Sequence, residues 1–215
     1  MSKLCRFKPK SREEWLSLRQ NGLGGSDVAA VVGLSPWKTA DVLWREKTGQ
    51  AKPKDLSDNE LVQQGIRLEP ALRTLFKAKH PEFSVTHEAL DMWYQSGREW
   101  MYATLDGRIT DKTNKQKGVL EIKTATPVGK AGWKKWDEQI PNYYLTQIYH
   151  ALLCTGYDFA IVFAALFNRE DDMTIREYRI ERANVVTELD WLLGREEEFW
   201  KSVQSKTIPP MTLVF

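Results

Sequence analysis

The chain has 215 residues, 42% of them hydrophobic, which is enough for one substantial core, and a single domain over 1–215 is the expectation. Its 31 basic and 29 acidic residues leave a formal charge of +2, so no global polycation advertises a nucleic acid and any basic surface must be local. Two cysteines without a CxxC, Cys5 and Cys154, exclude a disulfide framework, a zinc knuckle and a four-cysteine iron–sulfur cluster.

MSKLCRFKPK has no apolar h-region, residues 1–10 read as a flexible tail, and no segment is apolar enough to span a bilayer. The expectation is a soluble, cytoplasmic protein without membrane contact. Ser11-Arg12-Glu13-Glu14 fits a capping box that opens a helix through Trp15, Leu16 and Leu18, ending near Asn21-Gly22. In GLGGSDVAAVVG, residues 22–33, the glycines permit a tight turn, Ser26 suits an N-cap and Gly33 closes a short apolar helix. Ala40 to Lys47 reads as another helix, stopped by Gly49. Ser57-Asp58-Asn59-Glu60 is a second capping box, and a helical pattern runs on to about Lys79, with Pro70 either kinking it or restarting it.

From Phe83 to Ile109 the alternation and the aromatic and β-branched residues predict two or three strands, the last ending at Asp106. Lys112–Lys117 is a polar turn and Val119–Thr124 the next strand. Tyr143–Thr155 reads as a helix capped by Gly156, Phe159–Phe167 and Thr174–Ile180 as strands around an Asn168–Asp172 turn, and Val185–Val203 as a closing helix anchored by Trp191, Phe199 and Trp200. The class is α/β or α+β, with a central mixed sheet flanked by helices.

GVLEIKT, residues 118–124, holds the chemistry. On a strand, Val119, Glu121 and Lys123 share one face while Leu120 and Ile122 share the other. A solvated edge would look the same, so the reading turns on whether other acids converge there. The polar turn returns the chain from Asp106 straight into this strand, and pairing of the two segments sets Asp106 near Glu121, with Lys123 alongside. Two carboxylates and a backbone carbonyl such as that of Ile122 suit a hard divalent cation that keeps several waters. Such an ion activates water and stabilises charge on a phosphodiester. Lys123 would hold or deprotonate the water, or offset phosphate charge.

The Asp…Glu-x-Lys pattern resembles the PD-(D/E)xK nuclease signature, common when taken alone. Alongside it stand LRQNGLGGSDVAAVVGLSPWKTADVLWREKTG, QQGIRLEPALRTLF and IPNYYLTQIYHALLCTG, in one order. Together, over about residues 15–167, they resemble the lambda-exonuclease (YqaJ-type) viral recombinase family. The resemblance implies a restriction-endonuclease-like core and 5′-to-3′ digestion of linear duplex DNA, leaving 3′ single strands for annealing in phage-type recombination. It also implies Mg2+ dependence (one or two ions, with Mn2+ able to substitute), a ring-shaped homotrimer and a single-strand annealing protein as partner. Carried over residue by residue, Asp106, Glu121 and the Ile122 carbonyl are the metal ligands, and Glu69 binds directly or through water. Lys123 is the catalytic lysine. Arg19 and Ser26 grip the terminal 5′ phosphate, and Gln147 stands on the helix after the catalytic strand. Thr104-Leu105 departs from the family's usual Ser-Pro, so Thr104 matches only as a hydroxyl available to phosphate.

Two readings of KAGWKKWDEQIP, residues 130–141, stay open. Lys130, Lys134 and Lys135, interleaved with Trp133 and Trp136, suit DNA contact, and they equally suit a loop whose tryptophans pack on the core. His80, His87 and His150 lack ligand spacing and receive no role. A structure-specific or restriction-like endonuclease on the same core, and a catalytically silent DNA-end-binding scaffold, are the competing functions.

Overall fold

The computed structural model describes residues 3–170 and 172–209. In chain order the elements are β1 (Leu4–Phe7), α1 (Arg12–Gln20), β2 (Leu23–Gly24), α2 (Gly25–Val31), α3 (Ala40–Lys47), α4 (Glu60–Lys79), β3 (Phe83–Thr86), β4 (Met92–Gln95), β5 (Met101–Tyr102), β6 (Gly107–Asp111), β7 (Lys117–Ala125), α5 (Gly129–Lys134), α6 (Asn142–Thr155), β8 (Phe159–Phe167), β9 (Met173–Glu181) and α7 (Val186–Ser205).

Five strands form the central sheet in the order β3-β6-β7-β8-β9. Only β7 and β8 run parallel; the remaining pairs are antiparallel, so the sheet is mixed. The chain between β7 and β8 carries α5 and α6, the length of connection that a parallel pair requires. β8, FAIVFAALF, is buried along nearly its whole length, which is why it reads as an unbroken apolar run.

Alternation divides the core. Leu120, Ile122, Ile161 and Phe163 pack with Leu72 and Phe76 of α4 on one face. Val119, Ala160 and Val162 pack on the other with Val28 and Val31 of α2, Ile148 and Leu152 of α6 and Leu192 and Phe199 of α7. Glu121 therefore faces α6, not water, and is only 2% exposed.

A buried latch fixes α6. His150 is fully enclosed, with Nδ1 2.8 Å from Glu196 Oε2 on α7 and Nε2 2.9 Å from the Tyr102 carbonyl of β5. Both ring nitrogens thus meet acceptors, an arrangement that suits the imidazolium form. The histidine given no role from sequence ties together three elements around the site.

Several sequence expectations change. Leu4–Phe7, expected in a flexible tail, pairs antiparallel with Met92–Gln95, and Phe7 stacks on Tyr94 at 4.4 Å. Met1 and Ser2 lie outside the described residues, as does Asp171 in the predicted 168–172 turn. The region from Phe83 onward holds four short strands, and Asp106 stands just before β6, not at the end of the preceding strand. The cap of α4 is Asn59, whose side chain accepts from Val62 N–H, two residues beyond the predicted Ser57. Pro70 does not restart this helix, which runs through it without interruption from Glu60 to Lys79. Trp191, expected as an anchor, is 56% exposed, whereas Trp200 stacks on Trp100 at 6.0 Å.

Candidate active site

Pairing of β6 with β7 sets Gly107 opposite Leu120, so Asp106, one residue earlier, falls beside Glu121 and Ile122. Its Oδ2 accepts from the Ile122 N–H at 2.7 Å, in the place where β6 has run out and a ladder bond would otherwise be missing. On the other side Arg73 Nε donates to the Asp106 carbonyl at 2.6 Å, and its guanidinium also pairs with Glu69, one turn earlier on α4. Arg73 was not singled out from the sequence, although its i,i+4 spacing from Glu69 is a readable signal.

Three side chains form a closed triangle. Lys123 Nζ lies 2.7 Å from Glu121 Oε1, Gln147 Nε2 donates to the same oxygen at 2.6 Å, and Lys123 Nζ donates to Gln147 Oε1 at 2.9 Å. Lys123 Nζ also stands 4.9 Å over the ring of Tyr144. Gln147 reaches Glu121 past a glycine: a Cβ at Gly25 would come within 2.8 Å of Gln147 Cγ.

The electrostatics are lopsided. Burial pushes the Asp106 carboxyl well above the usual carboxylate range, with the charges of Glu121 and Glu69 adding to it; Lys123 and the Ile122 N–H oppose the rise without cancelling it. For Lys123, burial acts against the ammonium, but Glu121 and Asp106 outweigh it and its pKa is raised. Lys123 is therefore a protonated donor in this state. Among the described residues no three His, Cys, Asp or Glu side chains stand together in metal-ligating geometry, and Glu69 is turned to Arg73. Two facing carboxylates, one of them forced toward neutrality, nevertheless form a donor set that a divalent cation fits.

A cleft of about 110 Å3 opens beside this centre. Arg19, Ser26, Thr104, Glu121 and Gln147 all line it, bringing five of the sequence-derived residues to one surface. Arg19 lies over the Trp15 ring at 4.5 Å and donates through Nη2 to Ser26 Oγ at 2.8 Å. Thr104 Oγ1 accepts from Trp15 Nε1 at 3.3 Å. Ser26 is not the N-cap: Gly24 holds that position and Ser26 is the second residue of α2. The helix has only seven residues, and Asp27 already accepts from the Gly24 N–H, so the cleft's positive character comes from Arg19 more than from a helix end.

Beneath the cleft lies an ion cluster that sequence reading missed. Asp27, 4% exposed, takes Lys47 Nζ at 2.9 Å and Lys38 Nζ at 3.3 Å, and Lys47 also donates to the Arg19 carbonyl at 2.7 Å. The Tyr102 hydroxyl donates to that carbonyl at 2.9 Å. Burial alone would raise the Asp27 pKa, but Lys47, Lys38 and Arg19 bring it down to about 2. Burial lowers the pKa of Lys47, so the pair gains less overall than Asp27 alone suggests.

The lysine- and tryptophan-rich segment lies apart from the cleft lining. Lys130, Lys134 and Lys135 are exposed, while Trp133 is half-buried against a small cluster built on Trp136, Ala164 and Leu166. Trp136 is 3% exposed and its ring lies 5.6 Å from that of Tyr144, so this tryptophan supports the floor under Lys123.

Residues 14–158 match the YqaJ-like viral recombinase domain. The chain belongs to that family. Among YqaJ-type proteins, the uncharacterized protein YqaJ of Bacillus subtilis (strain 168) is 29% identical over 210 residues, covering 92% of this chain and 58% of that one. The chain thus spans little more than half the length of this curated relative. In fold it resembles an alkaline exonuclease from Laribacter hongkongensis (TM-score 0.68, 20% identity, 91% of this chain and 94% of that one). It also resembles a phage-related exonuclease from Haemophilus somnus 129PT (TM-score 0.56, 13% identity, 86% and 96%). The mixed sheet flanked by helices is accordingly the fold of phage-type exonucleases, and among the described residues no helix is long and apolar enough to cross a membrane.

Proposed function

We propose that the chain is a Mg2+-dependent deoxyribonuclease that digests linear duplex DNA from 5′ ends, leaving 3′ single strands for recombination by annealing. One observation carries the reading: the acid–lysine triangle and the Arg19–Ser26 pocket open into one cleft, with Glu121 and Gln147 belonging to both. A centre able to hold a cation and a pocket suited to an anion thus stand side by side, as removal of a nucleotide from a phosphorylated end requires.

Asp106 and Glu121 would hold the metal. A strand residue's N–H and C=O point to the same side. The Ile122 carbonyl, on the same side as the N–H that Asp106 accepts, would add a donor, and Glu69 would add another once released from Arg73. A divalent cation bound there would neutralise phosphodiester charge and lower the pKa of an attacking water. Lys123, protonated, donates to the water or to the phosphate, and Gln147 orients both Lys123 and Glu121. Arg19 offers a charge-assisted grip on a terminal phosphate, with Ser26 and Thr104 supplying hydroxyls. Assembly as a closed trimer accords with the near-neutral charge, since enclosing DNA demands less basic surface than gripping it. An annealing protein is the corresponding partner for the single strands released.

The test is digestion of a linear duplex with 5′-phosphate or 5′-hydroxyl ends, beside a closed circle, in Mg2+ or EDTA. Release of 5′ nucleotides in Mg2+, faster from phosphorylated ends, is expected. Cleavage of the closed circle would instead identify an endonuclease, and equal activity in EDTA would remove the metal from the mechanism.

A further inference from the structure

Trp37 is 69% exposed, more than any other tryptophan among the described residues. It is nonetheless pinned. Its own N–H and that of Lys38 both donate to Ser35 Oγ, at 3.2 and 3.3 Å. The Lys38 ammonium is held by Glu46 at 2.8 Å and by Asp27 at 3.3 Å. An indole open to water, carried on a backbone fixed at both flanks, forgoes the roughly 25 cal/mol per Å2 that burial would return. Such an arrangement fits a ring waiting for a partner.

Its place in the fold says which partner. The ring meets Tyr143 edge-on, at 5.1 Å and 83°, and Tyr144 at 6.3 Å. Tyr143 and Tyr144 lie 4.5 Å apart, and Tyr144 sits under Lys123. Tyr143 is four residues before Gln147 on α6, so the two share a face about 6 Å apart along the axis. Aromatic rings therefore run in contact from Lys123, which bonds two residues of the cleft wall, out to Trp37. Every nucleobase has a π-face, and stacking on a fixed aromatic ring requires no particular sequence.

We propose that Trp37, braced by Tyr143, is a stacking platform for a nucleobase of the strand whose phosphate enters the cleft, taken once that base has left the duplex. The inference rests on the nuclease reading and adds to it a subsite for the base. Trp37 would hold the unpaired nucleotide while its phosphate is presented to Glu121 and Lys123, and it would do so alike for all four bases.

Steady-state digestion of a 5′-phosphorylated duplex by the whole chain, with 2-aminopurine as the terminal base, tests this. Trp37→Ala is expected to raise KM about tenfold, with a smaller effect on kcat, and Trp37→Phe to restore most of the affinity. In EDTA, 2-aminopurine fluorescence should be quenched by the unaltered protein and by Trp37→Phe, but not by Trp37→Ala. Unchanged KM and quenching in Trp37→Ala would overturn the platform. A lower solution mass for Trp37→Ala by light scattering would overturn it too, since the ring would then serve contact between copies. Failure of the unaltered protein to cleave any DNA in Mg2+ would remove the nuclease reading itself, so the two failures are distinguishable.

Discussion

Asp27 and Asp106 are both buried, and their environments push them in opposite directions. Asp27 is ringed by Lys47, Lys38 and Arg19 and falls to about 2; Asp106 is buried beside Glu121 and Glu69 and rises. An aspartate among cations has its charge matched by the protein and acts as scaffold: it fixes Lys47, which in turn holds the Arg19 backbone. An aspartate among acids has its charge left unmatched, which favours its protonated form unless a cation is added. Buried charge alone thus does not identify a functional site; the sign of the imbalance around it does.

The largest effect should come from the unmatched side. Asp106→Asn keeps the acceptor for the Ile122 N–H while removing a destabilised carboxylate. DNA cleavage should fall by about a thousandfold or more. The melting temperature should hold or rise, because a repulsion disappears. A calorimetric scan beside the cleavage assay checks both, and a drop in stability equal to the drop in activity would undo the contrast. Asp27→Asn should do the reverse, leaving two ammonium groups facing a neutral amide at a cost of about 3 kcal/mol. For a chain of this size that is about 6–12 °C in melting temperature, with or without Mg2+.

The same contrast explains what the sequence made readable. β7, β8 and α6 were recognisable because alternation, an unbroken apolar run and the Gly156 stop are local signals, and all three reappear in the structure. Asp106 beside Glu121 was readable because a polar turn joins the two strands directly. By contrast, β1 depends on pairing with a segment some ninety residues away, and no local pattern announces that. Asn59 and Ser57 are equally competent caps, so composition does not choose between them. Trp191 and Trp200 sit on one helix whose apolar face is ambiguous until Trp100 arrives to stack on one of them. The Asp27–Lys47 pair joins α2 to α3 across twenty residues and needs the tertiary fold to exist. The aspartate of GLGGSDVAAVVG was given no role in the sequence for that reason.

Acid titration sharpens the scaffold half of the comparison. With a folded pKa of about 2 against an ordinary value of 3.8, Asp27 contributes its full stability above the unfolded value and loses it as pH falls through the folded one. About 2 kcal/mol should disappear between pH 4 and pH 2, less what burial of Lys47 already costs. Urea midpoints across that window should therefore converge for the unaltered protein and Asp27→Asn. Parallel curves down to pH 2 would mean that the cluster does not hold Asp27 ionised.

The smallest effect belongs to the residue that scaffold supports. Arg19 is held by its carbonyl from Lys47 and Tyr102 and flattened over Trp15, so its guanidinium is positioned before any anion arrives. A charged hydrogen bond to phosphate is worth about 1.5–3 kcal/mol. Arg19→Ala should thus cut the preference for 5′-phosphate over 5′-hydroxyl ends by roughly tenfold to a hundredfold, while hydroxyl ends are digested about as before. Lys47→Met reaches the pocket only through the Arg19 carbonyl and should reduce the same preference by less. The ratio of initial rates on the two ends, measured in one tube with distinguishable labels, separates them. A preference lost entirely in Lys47→Met but retained in Arg19→Ala would mean that the matched cluster, and not the guanidinium above it, meets the phosphate.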